Sequence, residues 1–287
     1  MPEPRARGER CVAPRAASRR LPRAPLVRAS IGLHVAGGAL GLAMPAAWPW
    51  LVGGLLADHL LLLAGSLWPR SSLVGPNLRR MPVTDGTANA VALTFDDGPD
   101  AAVTPRVLDC LEARGARATF FCVASRAERC PGLVGEIVRR GHRVENHSYS
   151  HSPAFCCLGP RALGREIDRA QQVLARQAGA TPRWFRAPAG LRNPWLDGVL
   201  RARRLELVSW TRRAFDTVSR DPAAVVLRLE RSLAARDVLL LHDGGSARDA
   251  TGQPVVLQAL PRLLDALERA GLRSVALPPP LGLDSGG

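Results

Sequence analysis

The run "VALTFDDGP" ends in two adjacent carboxylates, Asp96 and Asp97, and "NHSYSH" carries two imidazoles, His147 and His151, four residues apart. Alone, Asp-Asp-Gly-Pro reads as a turn, since Asp, Gly and Pro are ordinary turn formers. An isolated H-x-x-x-H reads as a pair of surface histidines. Together they suggest more. One helical turn or a tight loop places both imidazoles on one side. Two neutral imidazoles and one carboxylate make a common divalent metal site with a position left open for water. Two like charges side by side repel, and a division of labour resolves this: one carboxylate ligates a cation while its neighbour stays free as a base. Strand alternation, which turns successive side chains to opposite faces, would separate the two.

The elements that must position these residues follow from the pattern after Ala90. Short apolar runs alternate with amphipathic stretches: Val91–Phe95, Ala118–Val123, Arg143–Asn146, Arg183–Arg186, Leu205–Trp210, Val238–Leu241 and Ser274–Leu277. Helical patterns lie between them. One opens at Thr104-Pro105, read as a cap followed by proline, and ends at Gly115; others cover Pro131–Arg140, about 160–177, about 194–203, a stretch opening at Asp221-Pro222, and about 255–270. Alternating strand and helix predicts a parallel sheet, as an incomplete α/β barrel or an open doubly wound sheet. A dinucleotide-binding domain is disfavoured, because no G-x-G-x-x-G follows the first run. In parallel architectures the functional face lies where the strands end. Five of the seven predicted strand ends carry a residue suited to metal binding or proton transfer: Asp96-Asp97, His147 with His151, Arg186 in "FRAPAG", Trp210 and Asp216 in "SWTRRAFD", and His242 in "LLLHDGG".

In this order the motifs "TFDDGP", "HSYSH", "RAPAG", "SWTRRAFD" and "LLLHD" resemble those of the NodB-type polysaccharide deacetylases, carbohydrate esterase family 4. The resemblance spans about residues 88–280. It implies a distorted (β/α)7 barrel, a divalent metal (Zn²⁺ first, with Co²⁺, Ni²⁺ or Mn²⁺ as alternatives) and hydrolysis of the N-acetyl or N-formyl group of an aminosugar. Carried over by position, it implies Asp97, His147 and His151 as metal ligands and Asp96 as general base. Arg186 would orient that base, His242 would act as general acid, and Asp216 would hold the acid. Asp221 and Asp243 are rivals of Asp216, Asp221 reading better as a helix cap. Trp210, Pro188, Ala189 and Leu240 would border the substrate. Members of the family usually carry an aromatic residue where this chain has Ala189, which implies a wider groove. The chemistry is coherent, since amide hydrolysis needs an activated water, oxyanion stabilisation and a proton for the amine. A barrel that binds carbohydrate with weak or no catalysis is the alternative. His142 and Tyr149 read as packing residues.

The remaining sequence concerns place. The chain has 287 residues, 46% hydrophobic, with net charge +14 and no lysine. Eight arginines fall within residues 1–28, a basic tail. No nucleic-acid-reading motif accompanies them, so a nucleic-acid partner is not expected. Residues 31–68 hold one formal charge, Asp58, and are interrupted at Pro45 and Pro49. They read as a membrane hairpin over 29–69, with spans near 29–47 and 50–68 and with Trp48, Trp50 and Trp68 at the interfaces; a single signal-anchor is the alternative. Asp58 within a span requires a polar partner. Residues 70–87 read as a linker, 88–280 as the catalytic domain and 281–287 as a tail. Arginines on both flanks favour a bacterial inner-membrane protein with its catalytic domain on the cytoplasmic face, facing membrane lipid and a lipid-linked N-acetylated aminosugar. A single anchor would put the domain on the periplasmic or extracellular face, facing wall or exopolysaccharide. The cysteines show no disulfide framework.

Overall fold

A computed structural model of the chain describes residues 24–280. The basic tail, save its last residues, and the tail 281–287 lie outside the described residues. Two apolar helices come first: α1 (Pro25–Ala43) and α2 (Trp48–Leu67), joined by a single 3₁₀ turn at Pro45–Ala47. Pro25 and Pro49 each sit in the first turn of their helix, where a missing N–H costs nothing. The predicted first span therefore starts and ends about one turn earlier than expected. Asp58 has its polar partner: the Ser30 hydroxyl donates to Oδ2 at 2.7 Å across the hairpin.

The barrel follows. Strands β1 (Ala90–Asp96), β2 (Thr119–Cys122), β3 (Arg143–Asn146), β4 (Trp184–Phe185), β5 (Glu206–Leu207), β6 (Arg212–Arg213), β7 (Val238–His242) and β8 (Arg273–Val275) form one sheet. Its order is β5-β4-β3-β2-β1-β7-β6, with β8 joining the N-terminal half of β1, and every pairing is parallel. β5 and β6 are consecutive in the chain yet lie at opposite ends of this order. The sheet curls on itself as a distorted (β/α)7 barrel.

Helices α3 (Thr104–Ala113), α4 (Ala124–Arg129), α5 (Leu133–Arg139), α6 (Pro160–Ala178), α7 (Leu196–Arg201), α8 (Pro222–Glu230) and α9 (Val255–Arg269) surround it. α6 buries Leu163, Ile167, Ala170 and Leu174, the spacing of one helical face. The outer core joins these faces to the sheet; a second cluster of Phe121, Trp184, Trp210 and Leu240 fills the barrel interior. All seven residues of β1 are buried, as a central parallel strand requires.

Several local expectations are corrected. The helix expected over Pro131–Arg140 is present as α5, starting at Leu133 after Gly132 with φ 85°, but the short helix α4 ahead of the Cys130-Pro131-Gly132 break was not expected. Thr104 is not a cap: the helix begins at Thr104 itself, and Asp100 Oδ1 accepts the N–H groups of Ala102 and Val103 instead. Asp221 is a cap, accepting from the Ala223 N–H. The predicted strand Leu205–Trp210 shrinks to β5, and the unpredicted β6 follows. The free side of β5 pairs with a residue far away in sequence: Leu78 lies beside Val208, donating its N–H to Leu207 O and accepting from Ser209 N–H. The expected linker is thus laced to the barrel, with Arg80 bridged to Asp237 and Met81 fully buried.

Candidate active site

All the site residues singled out from sequence lie at or just beyond the C-terminal ends of strands, except Leu240 within β7. Asp96 is the last residue of β1 and 3% exposed. Thr94 shares its strand face, two residues back. Arg186, just after β4, lies beneath both: its Nη1 donates to Asp96 Oδ1 at 2.7 Å and to Thr94 Oγ1 at 2.8 Å. Nη2 donates to Ser209 O at 2.9 Å, and the guanidinium lies 4.1 Å from the centre of the Phe121 ring. Burial lowers the Arg186 pKa, and Asp96 opposes that shift. Only the Arg186–Asp96 pairing was expected; Thr94, Ser209 and Phe121 were not. Thr94 was discoverable, because i and i−2 on a strand share a face.

Asp97 points elsewhere, and strand alternation is not the reason. It has left the strand, with φ 68°. Its Oδ1 lies 3.2 Å from His147 Nε2 and 2.9 Å from His151 Nε2. His147 Nδ1 is 2.8 Å from the Arg186 carbonyl. A carbonyl only accepts, so Nδ1 carries the proton and a neutral His147 presents an Nε2 lone pair to Asp97. Burial would push the Asp97 carboxyl up, but the two imidazoles outweigh it and hold it well below the usual carboxylate range. Burial would likewise lower His147, while Asp96 and Asp97 turn the balance upward. One carboxylate oxygen facing two imidazole nitrogens, with no hydrogen-bond donor of its own among the described residues, fits a divalent cation. The Arg186 carbonyl supplies the outer hydrogen bond that fixes a ligating histidine.

The third group is His242, the last residue of β7. Its Nδ1 donates to Asp216 Oδ1 at 2.8 Å, and its backbone N–H donates to Asp216 Oδ2 at 2.8 Å. Asp216 is fully buried. Burial lowers the His242 pKa; the Asp216 hydrogen bond and charge, then Asp96 and Asp97, raise it, and the net shift is upward. Of the rivals, Asp243 lies under the Asp-Asp-Gly-Pro turn, where Thr104 Oγ1 donates to its Oδ2 at 2.6 Å and burial pushes its carboxyl up to about 7. A Cβ on Gly98 would stand 2.1 Å from that oxygen, so only glycine fits the turn.

Trp210 is 7% exposed in the barrel interior cluster, and Leu240, 1% exposed, packs within the same cluster. Pro188 is buried, and Ala189 adopts φ 53°. Asp97, Ser148, His151, Ala189 and Phe215 all take left-handed backbone, with φ between 52° and 68°. Such strain gathers where the fold over-determines a functional loop. His142 accepts the Ala118 N–H and meets Phe120 edge-on, and Tyr149 donates to Glu128 under the Arg169 guanidinium; both are packing residues.

The polysaccharide deacetylase family profile matches residues 84–207. A peptidoglycan-N-acetylglucosamine deacetylase of Bacillus cereus is 32% identical over 192 residues, covering 65% of this chain and 85% of that protein. A chitooligosaccharide deacetylase of Sinorhizobium fredii is 33% identical over 210 residues, covering 70% of this chain and 96% of that one. Among solved structures, a family 4 carbohydrate esterase from Streptomyces lividans in complex with acetate superposes with a TM-score of 0.59 at 36% identity, covering 65% of this chain and 91% of the other.

Proposed function

The chain belongs to the polysaccharide deacetylase family, carbohydrate esterase family 4, and from that premise we propose that it hydrolyses the N-acetyl group of a membrane-associated aminosugar saccharide. An N-formyl group is the smaller alternative. The observation that carries the reading is the three-part rim: Asp97 facing two imidazoles, Asp96 braced separately by Arg186, and His242 held by Asp216.

Asp97, His147 and His151 would hold a divalent ion, Zn²⁺ by their N, N, O donor set. When bound, such an ion lowers the pKa of water and polarises an acyl oxygen. Asp96 would accept a proton from the attacking water at the oxygen Arg186 leaves free, Oδ2. Arg186 fixes the other oxygen, so the base is aimed rather than mobile. A backbone N–H of the Pro188–Gly190 turn would stabilise the oxyanion. His242 would carry a proton on Nε2 to the amine nitrogen, and Asp216 would keep that imidazole charged and oriented. Trp210, Pro188, Ala189 and Leu240 would form or support the groove wall, with Ala189 leaving it wide.

α1 and α2 have the length and composition to cross a membrane, with mean hydropathy 1.4 and 1.6. The arginine balance favours the cytoplasmic face of an inner membrane, where a lipid-linked aminosugar is the accessible substrate. Acetate release from N-acetylated chitooligosaccharide, measured with metal content for wild type and Asp96→Asn, tests the chemistry; full activity in the variant removes the proposed base. A reporter active only in the periplasm, fused to the C-terminus, tests the side: its activity would overturn the cytoplasmic assignment.

A further inference from the structure

The hairpin is apolar and bare. Only 6% of the α1 span and 17% of the α2 span is buried within the protein, so neither is a core helix of a soluble fold. Yet its far end is fastened to the catalytic rim. The Arg192 backbone N–H donates to Ser66 O at 3.1 Å, and Nη2 donates to Ser71 O at 2.7 Å. The same nitrogen lies 3.5 Å from the carbonyls of Gly65 and Trp68, which the end of α2 leaves short of partners. Pro69, the residue after Trp68, is wedged against the rim: a Cβ on Gly190 would stand 2.7 Å from Pro69 Cβ and 2.6 Å from the Trp210 ring. An interfacial tryptophan thus sits one residue from the wall of the site.

Between hairpin and barrel runs a groove of about 630 Å³. α1 contributes Ile31 and Val35, and α2 contributes Leu62 and Leu63. The opposite wall is Cys157 and Trp195 of the barrel. Trp195 is 57% exposed, a large apolar surface left open toward this space. Cys157 follows His151 in one rim loop, and Trp195 follows Arg186 in the other. Arg192 lines this groove and also the small pocket bordered by Arg186, Gly190 and Trp210, so groove and rim adjoin at that side chain. Asp58, the one acidic residue of the two helices, is 7% exposed and satisfied by Ser30, so it does not present a bare charge to the groove.

We infer that this groove seats the hydrocarbon chain of the substrate itself, a lipid whose head group is the N-acetylated aminosugar saccharide. The inference rests on the deacetylase reading above. Walls made by membrane helices on one side and by the two catalytic loops on the other lead a chain from the bilayer to the rim. An ordinary phospholipid would find the apolar walls but bring no amide to them.

The test uses the full chain in detergent micelles and two probes: N-acetylglucosamine oligosaccharide linked to a long prenyl phosphate, and the same oligosaccharide without lipid. The readout is the ratio of kcat/KM for the two. Leu63→Trp and Ile31→Trp fill the groove from different helices. Leu61→Trp adds the same bulk to the opposite face of α2. The wild type should prefer the lipid-linked probe, and each groove variant should cut that preference about tenfold, the loss of about two buried methylenes. Leu61→Trp should keep it. An unchanged preference in both groove variants, an equal loss in Leu61→Trp, or turnover of the lipid-free probe alone would overturn the groove while leaving the deacetylase reading intact. Turnover of neither probe would overturn both.

Discussion

Replacing Asp216 by Asn isolates one electrostatic contribution. The carboxylate is fully buried and spends both oxygens on His242, one on the Nδ1–H and one on the backbone N–H, each at 2.8 Å. Asparagine keeps the size but offers one acceptor oxygen to two donors. Its amide nitrogen must then face an N–H, which leaves a buried donor unsatisfied at a cost of about 1–3 kcal/mol. The imidazolium also loses its charge partner. A hydrogen bond to a charged group contributes about 1.5–3 kcal/mol. At 1.36 kcal/mol for each pKa unit, His242 should fall by about one to two units. The sign follows from the acid role proposed for His242. A general acid must be protonated, and the net upward shift of His242 in the native site extends the imidazolium to higher pH. The alkaline limb of the pH–rate profile therefore reports this group, and Asp216→Asn should move that limb down by about one to two pH units. At neutral pH the rate should fall by up to about 10–100-fold, one decade for each unit by which the His242 pKa drops. The stability consequence has the same sign. A raised histidine stabilises the native state below its unfolded pKa, and that contribution is lost as pH rises through the folded value; in Asp216→Asn this pH dependence should flatten. The assay is acetate release across pH with thermal unfolding alongside. An alkaline limb that stays in place, or moves upward, would refute the Asp216–His242 linkage.

Three further outcomes are expected. Asp96→Asn should retain bound metal, measured by elemental analysis, while the rate drops by about 10²–10⁴-fold; parallel loss of metal would make Asp96 a ligand instead. Arg186→Met should lower stability by about 3–5 kcal/mol, because Asp96 is left buried and unpaired, and Asp96→Asn in the same chain should recover most of that loss in a denaturant titration. Gly98→Ala should abolish turnover and lower the unfolding temperature, since its Cβ collides with Asp243 Oδ2; a fully active variant would show that the turn is free to move.

The reaction rim was legible because its residues sit where short-range pattern is strongest. β1 and β7 are unbroken apolar runs, so their ends at Asp96 and His242 could be read directly. The histidine pair needed only its spacing. What escaped depended on contacts distant in sequence. Nothing local in "LELVSWTRR" shows that the strand stops at Leu207 or that Leu78 will pair at Val208. Thr104 looked like a cap because caps are read from neighbours; its hydroxyl is instead committed to Asp243, distant in sequence but at the end of the adjacent strand β7. The separation of Asp96 from Asp97 was expected from strand alternation, but the left-handed turn at Asp97 produces it. Residue type alone does not reveal that conformation: Asp is enriched there several-fold, yet non-glycine residues adopt it in only about a few per cent of cases.

The charges around the rim carry the argument for a cation further than the geometry alone. Four carboxylates are gathered there: Asp96, Asp97, Asp216 and Asp243. Asp96 has the Arg186 guanidinium, and Asp216 has the His242 imidazole with an upward-shifted pKa. Asp243 is held up to about 7, so near neutrality it shares its place with a proton. Asp97 is the remainder. Its nearest partners are His147 and His151, and His147 already spends its Nδ1 proton on the Arg186 carbonyl. If both imidazoles took up second protons, they would neutralise Asp97 but would cease to be ligands. If they stay neutral, a carboxylate oxygen faces two lone pairs at close range, an arrangement that a divalent ion turns from repulsive to binding. Metal loading should therefore release protons from the ligand set, and the number released should grow as the starting pH falls. Loading without proton release at low pH would mean that the two imidazoles were neutral already, and that the fold alone tolerates the bare carboxylate.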